Sequence, residues 1–274
     1  HSGISFSKFG ATLWVDDLQI EVGDKATPYQ PSGLDKLKCA KQEPPPRPAP
    51  LVVPLLPDGV MPGVDLDSWT AKALRTDKFL NSMKPAAAKT EAWLACDSAN
   101  LYIGMRAHVE NLKAVKPLVL KHDDPGVFGG EGIELFMDPL RNGEYVHFGL
   151  NSAGSYAETD ENGKVNWDGN WKREVRVNEN GKCIDYFIAL PFSDFAHELL
   201  DGKWFVNLAR NSAEKGAACL GAWYTSSYKQ EVGWPEMMLP AGVVGNYKFG
   251  VNSSCYSAVG NETVYRLALD NQSG

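Results

Sequence analysis

Residues 130–151, GEGIELFMDPLRNGEYVHFGLN, read as a β-hairpin with two chemically different faces, and this feature restricts the fold more than any other. In a β-strand, successive side chains point to opposite faces, so residues two apart share a face. The apolar face of the predicted hairpin contains Ile133, Leu135, Met137, Val146, Phe148 and Leu150. The opposite face contains Glu134, Phe136, Asp138, Tyr145, His147, Gly149 and Asn151. The first face is typical of a protein core, whereas the second presents carboxylates, aromatic rings, an imidazole and an amide.

The segment between the two arms contains Asn142-Gly143, a strong tight-turn signal because both residues tolerate positive φ. If the turn is centred on this pair, Glu134 faces Asn151 across the hairpin. If all of residues 139–144 form the loop, Glu134 faces Gly149 instead. Both registers assign the same residues to the same faces. The polar face is either a solvated outer surface or, since it combines rings with polar groups, a surface that can bind a sugar.

After residue 58, short strand-like segments alternate with turns rich in Gly, Asn and Asp. Predicted strands span residues 90–96, 101–109, 171–177, 183–190, 204–210, 218–225, 247–251 and 263–269. Short helices are predicted near residues 67–73, with Asp67 or Ser68 as the N-cap, and at 193–200. Strands of this length and rhythm indicate an all-β fold, an antiparallel β-sandwich of the immunoglobulin-like or jelly-roll-like two-sheet type with one or two short helices.

Composition argues against several classes of function. The net charge of −7 disfavours nucleic acid or an anionic membrane as a partner. No apolar run approaches the roughly 18 residues that a membrane span requires. The five cysteines have no Cys-x-x-Cys pair, so they leave open one or two disulfides or buried free thiols and do not indicate zinc. The histidines lack zinc-site spacing, and no Ser/His/Asp or Cys/His motif supports nucleophilic catalysis.

Two stretches precede the predicted sandwich, which spans residues 58–270. Residues 1–30 contain WVDDLQIEVG followed by TPYQ, which resembles the closing strand of an upstream jelly-roll carbohydrate-binding domain. We expect most of that domain to lie outside this chain, because the abrupt beginning His1-Ser2-Gly3 is typical of an excised segment. Residues 31–57 form a linker centred on PPPRPAP, a composition that favours a semi-rigid polyproline II spacer.

An ordered set of short motifs runs through the predicted sandwich. The motifs are DSWTAKA (67–73), DSANLYI (97–103), GIELFMDP (132–139), FGLN (148–151), IALP (188–191), WFVNLAR (204–210) and WPE (234–236). In this order they resemble the family 9 carbohydrate-binding module and its wider relatives, the DOMON-like sandwiches. The resemblance implies a non-catalytic module that binds a mono- or oligosaccharide. It also implies a larger extracellular, cell-surface or periplasmic protein that acts on polysaccharides, whose other domains are the module's partners.

The resemblance also implies a binding site. In sugar-binding members two aromatic rings sandwich a pyranose, and their positions correspond to Phe128 and Trp234. Rings suit this role because the C–H groups of a pyranose form an apolar face that stacks on a π-surface. The carboxylate that accepts hydrogen bonds from sugar hydroxyls corresponds to Glu134, and Asn151 supplies an amide on the same hairpin.

Two positions depart from the family pattern. An arginine on the returning strand corresponds to Gly149, which supplies no donor, and a glutamate before the Ile-Pro-type proline corresponds to Phe187. Candidates for a replacement donor are Arg210, Arg106 and Gln230. Trp167 and Trp171 are further candidates for ring contacts with a sugar, because we expect exposed rings in a Gly- and Asn-rich loop.

Three other interpretations stay open. The chain could be a structural spacer or a protein-interaction sandwich without sugar affinity, which the missing arginine favours. Glycoside hydrolysis needs two carboxylates about 5–10 Å apart, for which Glu134 with Glu131 or Asp138 is available. Some DOMON-like domains bind haem through methionine and histidine. Met105 and Met137 lie on the apolar faces of their predicted strands, whereas His108 and His147 lie on the opposite faces. This arrangement argues against a shared haem site, and we expect core methionines and surface histidines at these positions.

Structural calcium is the final expectation from the resemblance. A hard cation requires oxygen ligands. Clusters that offer them are Asp123-Asp124, Glu131 and Asp160-Glu161-Asn162. The alternative is that these acidic turns are simply solvated.

Overall fold

The computed structural model describes residues 47–271 except 83, 166, 199–200, 222–228, 230–232, 245–248 and 260–261, and it describes only the backbone of residues 196–198, 242, 244, 249–259 and 262–271. The predicted upstream strand in residues 1–30 and most of the predicted linker 31–57 lie outside the described residues. Those two domain assignments therefore stay predictions, except that residues 51–52, near the end of the predicted linker, form a strand of the first sheet.

The described part of the chain is built almost entirely from short β-strands. In chain order these are β1 (Leu51–Val52), β2 (Leu74–Thr76), β3 (Leu80–Asn81), β4 (Lys84–Pro85), β5 (Thr90–Cys96), β6 (Asn100–His108), β7 (Gly132–Asp138), β8 (Val146–Asn151), β9 (Tyr156–Asp160), β10 (Lys172–Asn178), β11 (Cys183–Pro191), β12 (Lys203–Ser212), β13 (Gly216–Cys219), β14 (Glu236–Met238), β15 (Phe249–Val259) and β16 (Glu262–Asn271). Short 3-10 helices lie at Leu66–Ser68, Thr70–Lys72, Leu112–Ala114, Pro125–Phe128 and Phe192–Glu198, and an α-helix lies at Ala241–Val244. None of the described helices is long and apolar enough to cross a membrane.

The strands form two main sheets. The first has the order β4-β3-β13-β12-β7-β8-β9, with β14 beside β12 and β1 parallel to β14. The second has the order β10-β11-β6-β5-β2, and all of its strand pairs are antiparallel. Strands β15 and β16 pair separately. The predicted antiparallel, all-β two-sheet sandwich is therefore confirmed.

Most predicted strand boundaries agree with the structure within one or two residues. The predicted strand 218–225 is observed as Gly216–Cys219, and its end lies outside the described residues. The predicted N-cap near residue 67 is wrong, because Asp67 and Ser68 lie inside a 3-10 helix that follows Asp65.

The main core lies between the two sheets and uses the alternation seen in the sequence. The apolar residues of β6 and the position after it point inward, namely Leu101, Ile103, Met105, Ala107 and Val109. They pack against apolar residues of the central hairpin, namely Ile133, Leu135, Met137, Phe148 and Leu150. The expected core positions of Met105 and Met137 are confirmed, with exposed fractions of 1% and 0%.

A second cluster covers the outer face of the second sheet. The ring of Phe187 stacks on Tyr102 at 6.2 Å and meets Trp69 edge-on at 6.1 Å. A methyl group at Gly104 would lie 2.7 Å from Leu66 and 3.0 Å from Trp69, so the close packing of this cluster depends on that glycine. Phe187 therefore has an apolar packing role where the family pattern has a glutamate.

Candidate functional site

The central hairpin adopts the second of the two predicted registers. Glu134 faces Gly149 and Phe136 faces His147, so the whole segment between the strands is loop. The polar face, however, is not solvated. Phe136 is 0% exposed and Glu134 is 2% exposed. A third cluster of side chains covers this outer face of the first sheet, which explains why every residue of β7 is buried.

Aromatic rings line up across this outer face. The imidazole of His147 is stacked between Phe136, at 4.1 Å and 11°, and Phe128, at 4.4 Å and 25°. Trp234 contacts Phe136 at 5.5 Å, and Tyr145 contacts Trp234 at 5.0 Å. We call these five side chains, Phe128, Phe136, Tyr145, His147 and Trp234, the aromatic face.

His147 makes polar contacts through both ring nitrogens although it is buried. Its Nε2 lies 2.5 Å from Glu134 Oε2, and its Nδ1 lies 3.3 Å from Thr159 Oγ1. Burial lowers the pKa of His147, while the hydrogen bond to Glu134 acts in the opposite direction. A neutral ring fits this network, with Nε2–H donating to Glu134 and the Thr159 hydroxyl donating to Nδ1. The expectation of a surface histidine at this position is therefore wrong.

Glu134 connects the aromatic face to strand β12. Its second carboxylate oxygen accepts a hydrogen bond from the amide of Asn211, which also donates to the backbone oxygen of Phe128 at 3.0 Å. The structure thus brings Phe128 and Glu134, two of the predicted site residues, close together and adds Asn211. Asn207 and Asn211 share one face of β12, and the pairing of this strand with β7 is a long-range contact that the sequence pattern does not show.

Phe128 ends a 3-10 helix that Asp124 caps by accepting a hydrogen bond from Gly126 N at 2.8 Å. Its ring is half-buried and lies against the backbone of Gly149. Any side chain at Gly149 would collide with this ring. Gly149 therefore provides the space in which Phe128 packs.

Trp234 is fully buried, with Phe136, Ala209 and Cys219 in the same cluster. In this conformation the ring offers no open face for a sugar. Two protein rings, Phe136 and His147, occupy the space between Trp234 and Phe128. A direct sugar contact by Trp234 stays a prediction, and it requires a change in this packing.

Asn151 lies on the same sheet face, but its side chain forms hydrogen bonds that stabilise the turn between β8 and β9. Its side-chain oxygen accepts hydrogen bonds from Ala153 N and Ser155 N, both at 3.0 Å, and its amide donates to Leu118 O at 2.8 Å. The side chain is 2% exposed. The structure therefore assigns Asn151 a role in fixing the turn rather than an open hydrogen-bonding position.

Trp171 and Arg210 lie away from the aromatic face. Trp171 is 2% exposed and packs on Phe148 in the main core, so the expected exposed ring is wrong. Arg210 is 1% exposed and points between the sheets, where it bonds Glu131 Oε1 at 2.8 Å and His108 O at 2.9 Å. Neither side chain is placed to contact a sugar on the outer face.

The same geometry weakens two alternative interpretations. Glu131 pairs with Arg210 inside the sandwich whereas Glu134 lies on the outer face, so these carboxylates do not flank a common cleft. The carboxylate of Asp138 accepts hydrogen bonds from Asn142 N and Gly143 N in its own loop. For haem, Met105 and Met137 lie in the core and both nitrogens of His147 are engaged.

Acidic side chains of the predicted calcium clusters accept hydrogen bonds from backbone amides in their own turns. Asp124 caps the 3-10 helix, and Asp160 accepts hydrogen bonds from Asn162 N and Lys164 N, both at 2.8 Å. These oxygens do not converge with those of other acidic or histidine side chains on one point in the described part of the chain. Asp124 and Asp160 therefore do not fit a calcium ion as they stand.

Comparison with solved structures identifies the fold. A protein from Bacteroides uniformis, described as a candidate carbohydrate-binding protein, matches with a TM-score of 0.53 and 15% sequence identity, covering 70% of this chain and 99% of that chain. The two proteins share one fold. No known family model matches the sequence. No curated protein matches it either.

Two family 9 carbohydrate-binding modules from Caldicellulosiruptor kristjanssonii are also similar in structure. The module in complex with cellotriose matches with a TM-score of 0.46 and 12% identity, covering 69% of this chain and 92% of that chain. The module in complex with glucose matches with a TM-score of 0.47 and 10% identity, covering 69% of this chain and 95% of that chain. The sandwich described above is thus similar to carbohydrate-binding proteins at low sequence identity.

Proposed function

We propose that this sandwich is a non-catalytic carbohydrate-binding module and that the aromatic face is its sugar site. The observation that carries the proposal is the stack of Phe128, His147 and Phe136, which is joined to the carboxylate of Glu134 and the amide of Asn211. Stacking surfaces beside polar groups match the two chemistries of a pyranose, its apolar C–H face and its hydroxyls.

The half-buried rings define where a sugar first makes contact. Phe128 and Tyr145 retain accessible surface, whereas Phe136 and Trp234 are buried. In the proposed mode a pyranose stacks on the outer side of Phe128, with Tyr145 at the opposite end of the face. Trp234 and Glu134 then act mainly by positioning these rings. A carboxylate can accept about four hydrogen bonds, so Glu134 can also take a sugar hydroxyl if the face opens.

The module would work within a larger extracellular, cell-surface or periplasmic protein that acts on polysaccharides. Binding a sugar chain keeps a tethered partner domain close to the same polymer, which raises its effective concentration without any new contact in the enzyme. The net charge of −7 accords with a neutral polymer as the target rather than an anionic one.

Calorimetric titration with glucose, galactose, cellobiose, xylobiose and cellotriose tests the proposal and names the sugar class. The informative variant is Phe128→Ala, which removes the accessible ring. Trp167→Ala is a matched control, because Trp167 is also a half-buried ring but packs on Phe148 and Phe195. Since stacking of one ring contributes about 1 kcal/mol or more, we expect at least roughly fivefold weaker binding in Phe128→Ala and little change in the control.

A flat response of the wild-type protein to every sugar would favour the second candidate, a spacer or protein-interaction sandwich. The complete internal pairing of Glu134 with His147 and Asn211 is the observation that favours it, because these groups are satisfied without a ligand.

A further inference from the structure

Three separate segments bring a histidine and two carboxylates together at the β9 edge of the first sheet. The segment before the 3-10 helix contributes His122, strand β9 contributes Glu158, and the loop before β10 contributes Asp168. Their ligand atoms lie within 4.8 Å of one another. His122 Nε2 is 2.6 Å from Glu158 Oε2, and the carboxylate of Asp123 lies 3.4 Å from the same nitrogen. Three potential ligands therefore converge on one point, and the carboxylate of Asp123 lies beside one of them, His122.

Groups outside the cluster hold its members in place. Glu158 is 1% exposed, and its other oxygen accepts a hydrogen bond from the indole N–H of Trp171. The His122 ring stacks on Tyr156 at 4.2 Å. Asp123 accepts a hydrogen bond from Glu158 N at 3.0 Å. Partners that orient the ligands from behind are a regular feature of metal sites in proteins.

The charges also favour a cation. Two or three carboxylates face one imidazole here, and a buried carboxylate such as Glu158 is costly unless a positive partner compensates it. The nearby guanidinium of Arg173 lies over the Tyr156 ring and donates to Trp171 O at 3.0 Å. Among the described ion pairs, none joins Arg173 to Glu158 or Asp168.

We propose that His122, Glu158 and Asp168 bind a divalent transition-metal ion of the zinc class, with Asp123 in reach as a fourth ligand. An imidazole nitrogen among carboxylates suits zinc and its neighbours, whereas calcium prefers a shell of oxygens. Zinc bonds of about 2.1 Å place tetrahedral ligands about 3.4 Å apart. The ion therefore replaces the hydrogen bond between His122 and Glu158. The ligand atom of the exposed Asp168, which lies within 4.8 Å of the other two, has to approach them by no more than about 1.4 Å.

The ion would cross-link the three segments, one of which leads directly to Asp124 and Phe128. This inference does not rest on sugar binding, because the ligands lie outside the aromatic face.

The test is a titration of tag-free, chelator-treated protein with Zn²⁺ and, separately, with Ca²⁺, followed by calorimetry and thermal unfolding. We expect one Zn²⁺ per chain, a rise in Tm, and no comparable effect of Ca²⁺. Asp168→Asn should weaken Zn²⁺ binding at least about tenfold while the fold persists, because this side chain is exposed.

His108→Ala is the matched control. His108 also forms a pair with a glutamate, 2.7 Å from Glu91 Oε2, and is absent from the cluster that converges on His122. This variant should bind Zn²⁺ as the wild type does. The proposal is overturned if wild-type protein binds no Zn²⁺, if Asp168→Asn binds it equally well, or if Ca²⁺ binds as tightly.

Discussion

The ring of Phe128 lies so close to Gly149 that a methyl group added to this glycine would be 2.5 Å from Phe128 Cε1 and 2.8 Å from Cδ1. Real carbon atoms do not approach so closely without displacement. The glycine and the phenylalanine therefore form one unit, in which the small residue allows the ring to stack on His147. A larger side chain at this position would require Phe128 to lie elsewhere.

Gly149→Ala should therefore destabilise the protein by about 1–3 kcal/mol, the usual cost of overpacking. In a Phe128→Ala background the same change should be close to neutral, because the colliding ring is gone. Urea denaturation of the wild type, both single variants and the double variant measures this coupling. Equal costs in the two backgrounds would show that Phe128 does not pack on Gly149.

The pKa of His147 predicts a loss of stability on acidification. Burial lowers the pKa in the folded state, so the unfolded chain binds the proton more readily. Stability is therefore full above the unfolded value of about 6.5 and falls as the pH drops from there through the lower folded pKa. NMR titration of the imidazole should show a neutral ring with the proton on Nε2 at pH 7. A His147 pKa above about 6.5 would contradict this account.

The buried pair of Arg210 and Glu131 should be costly to break. Arg210→Met leaves Glu131 between the sheets without its cation, which typically costs about 3–5 kcal/mol. Urea denaturation measures this loss. Arg75→Met is a matched control, since Arg75 also pairs with a glutamate, Glu91, but on the surface, and should change stability little. Similar effects of both substitutions would mean that the Arg210 pair is not buried in solution.

The described cysteines should be inert in the folded protein. Cys96, Cys183 and Cys219 are buried and unpaired, and burial raises the pKa of Cys96 to about 12 and that of Cys219 to about 11. The side chains of Cys39 and Cys255 lie outside the described residues. In a Cys39→Ser/Cys255→Ser variant we expect no alkylation at pH 8 until the protein unfolds. Rapid labelling of the native variant would contradict the burial of these thiols.

The rhythm of short strands and turns rich in Gly, Asn and Asp was sufficient to predict the sandwich, and the alternation of the central hairpin predicted both faces of its strands. It could not predict how deeply the outer face is buried. A strand pattern indicates that Glu134 and His147 share one side of the sheet. The cover over that side comes from Phe128, at the end of a 3-10 helix before the hairpin, and from Trp234, which is distant in sequence.

The same limit applies to the residues that were misplaced or missed. Arg210 looked like a surface donor, because a lone arginine in a strand gives no sign of a buried carboxylate from another segment. Trp171 lies in a loop-like sequence, yet it packs in the core. The contacts of Asn211 with Glu134, and of His122 with Glu158 and Asp168, depend on how the chain folds back.

Sugar binding by the aromatic face can be measured by NMR titration with cellotriose, following the ring signals of Phe128, Tyr145 and His147. We expect saturable shifts of these signals in the wild type and their loss in Phe128→Ala. Binding with shifts confined to other parts of the chain, or no shifts with any of the sugars named above, would contradict this expectation.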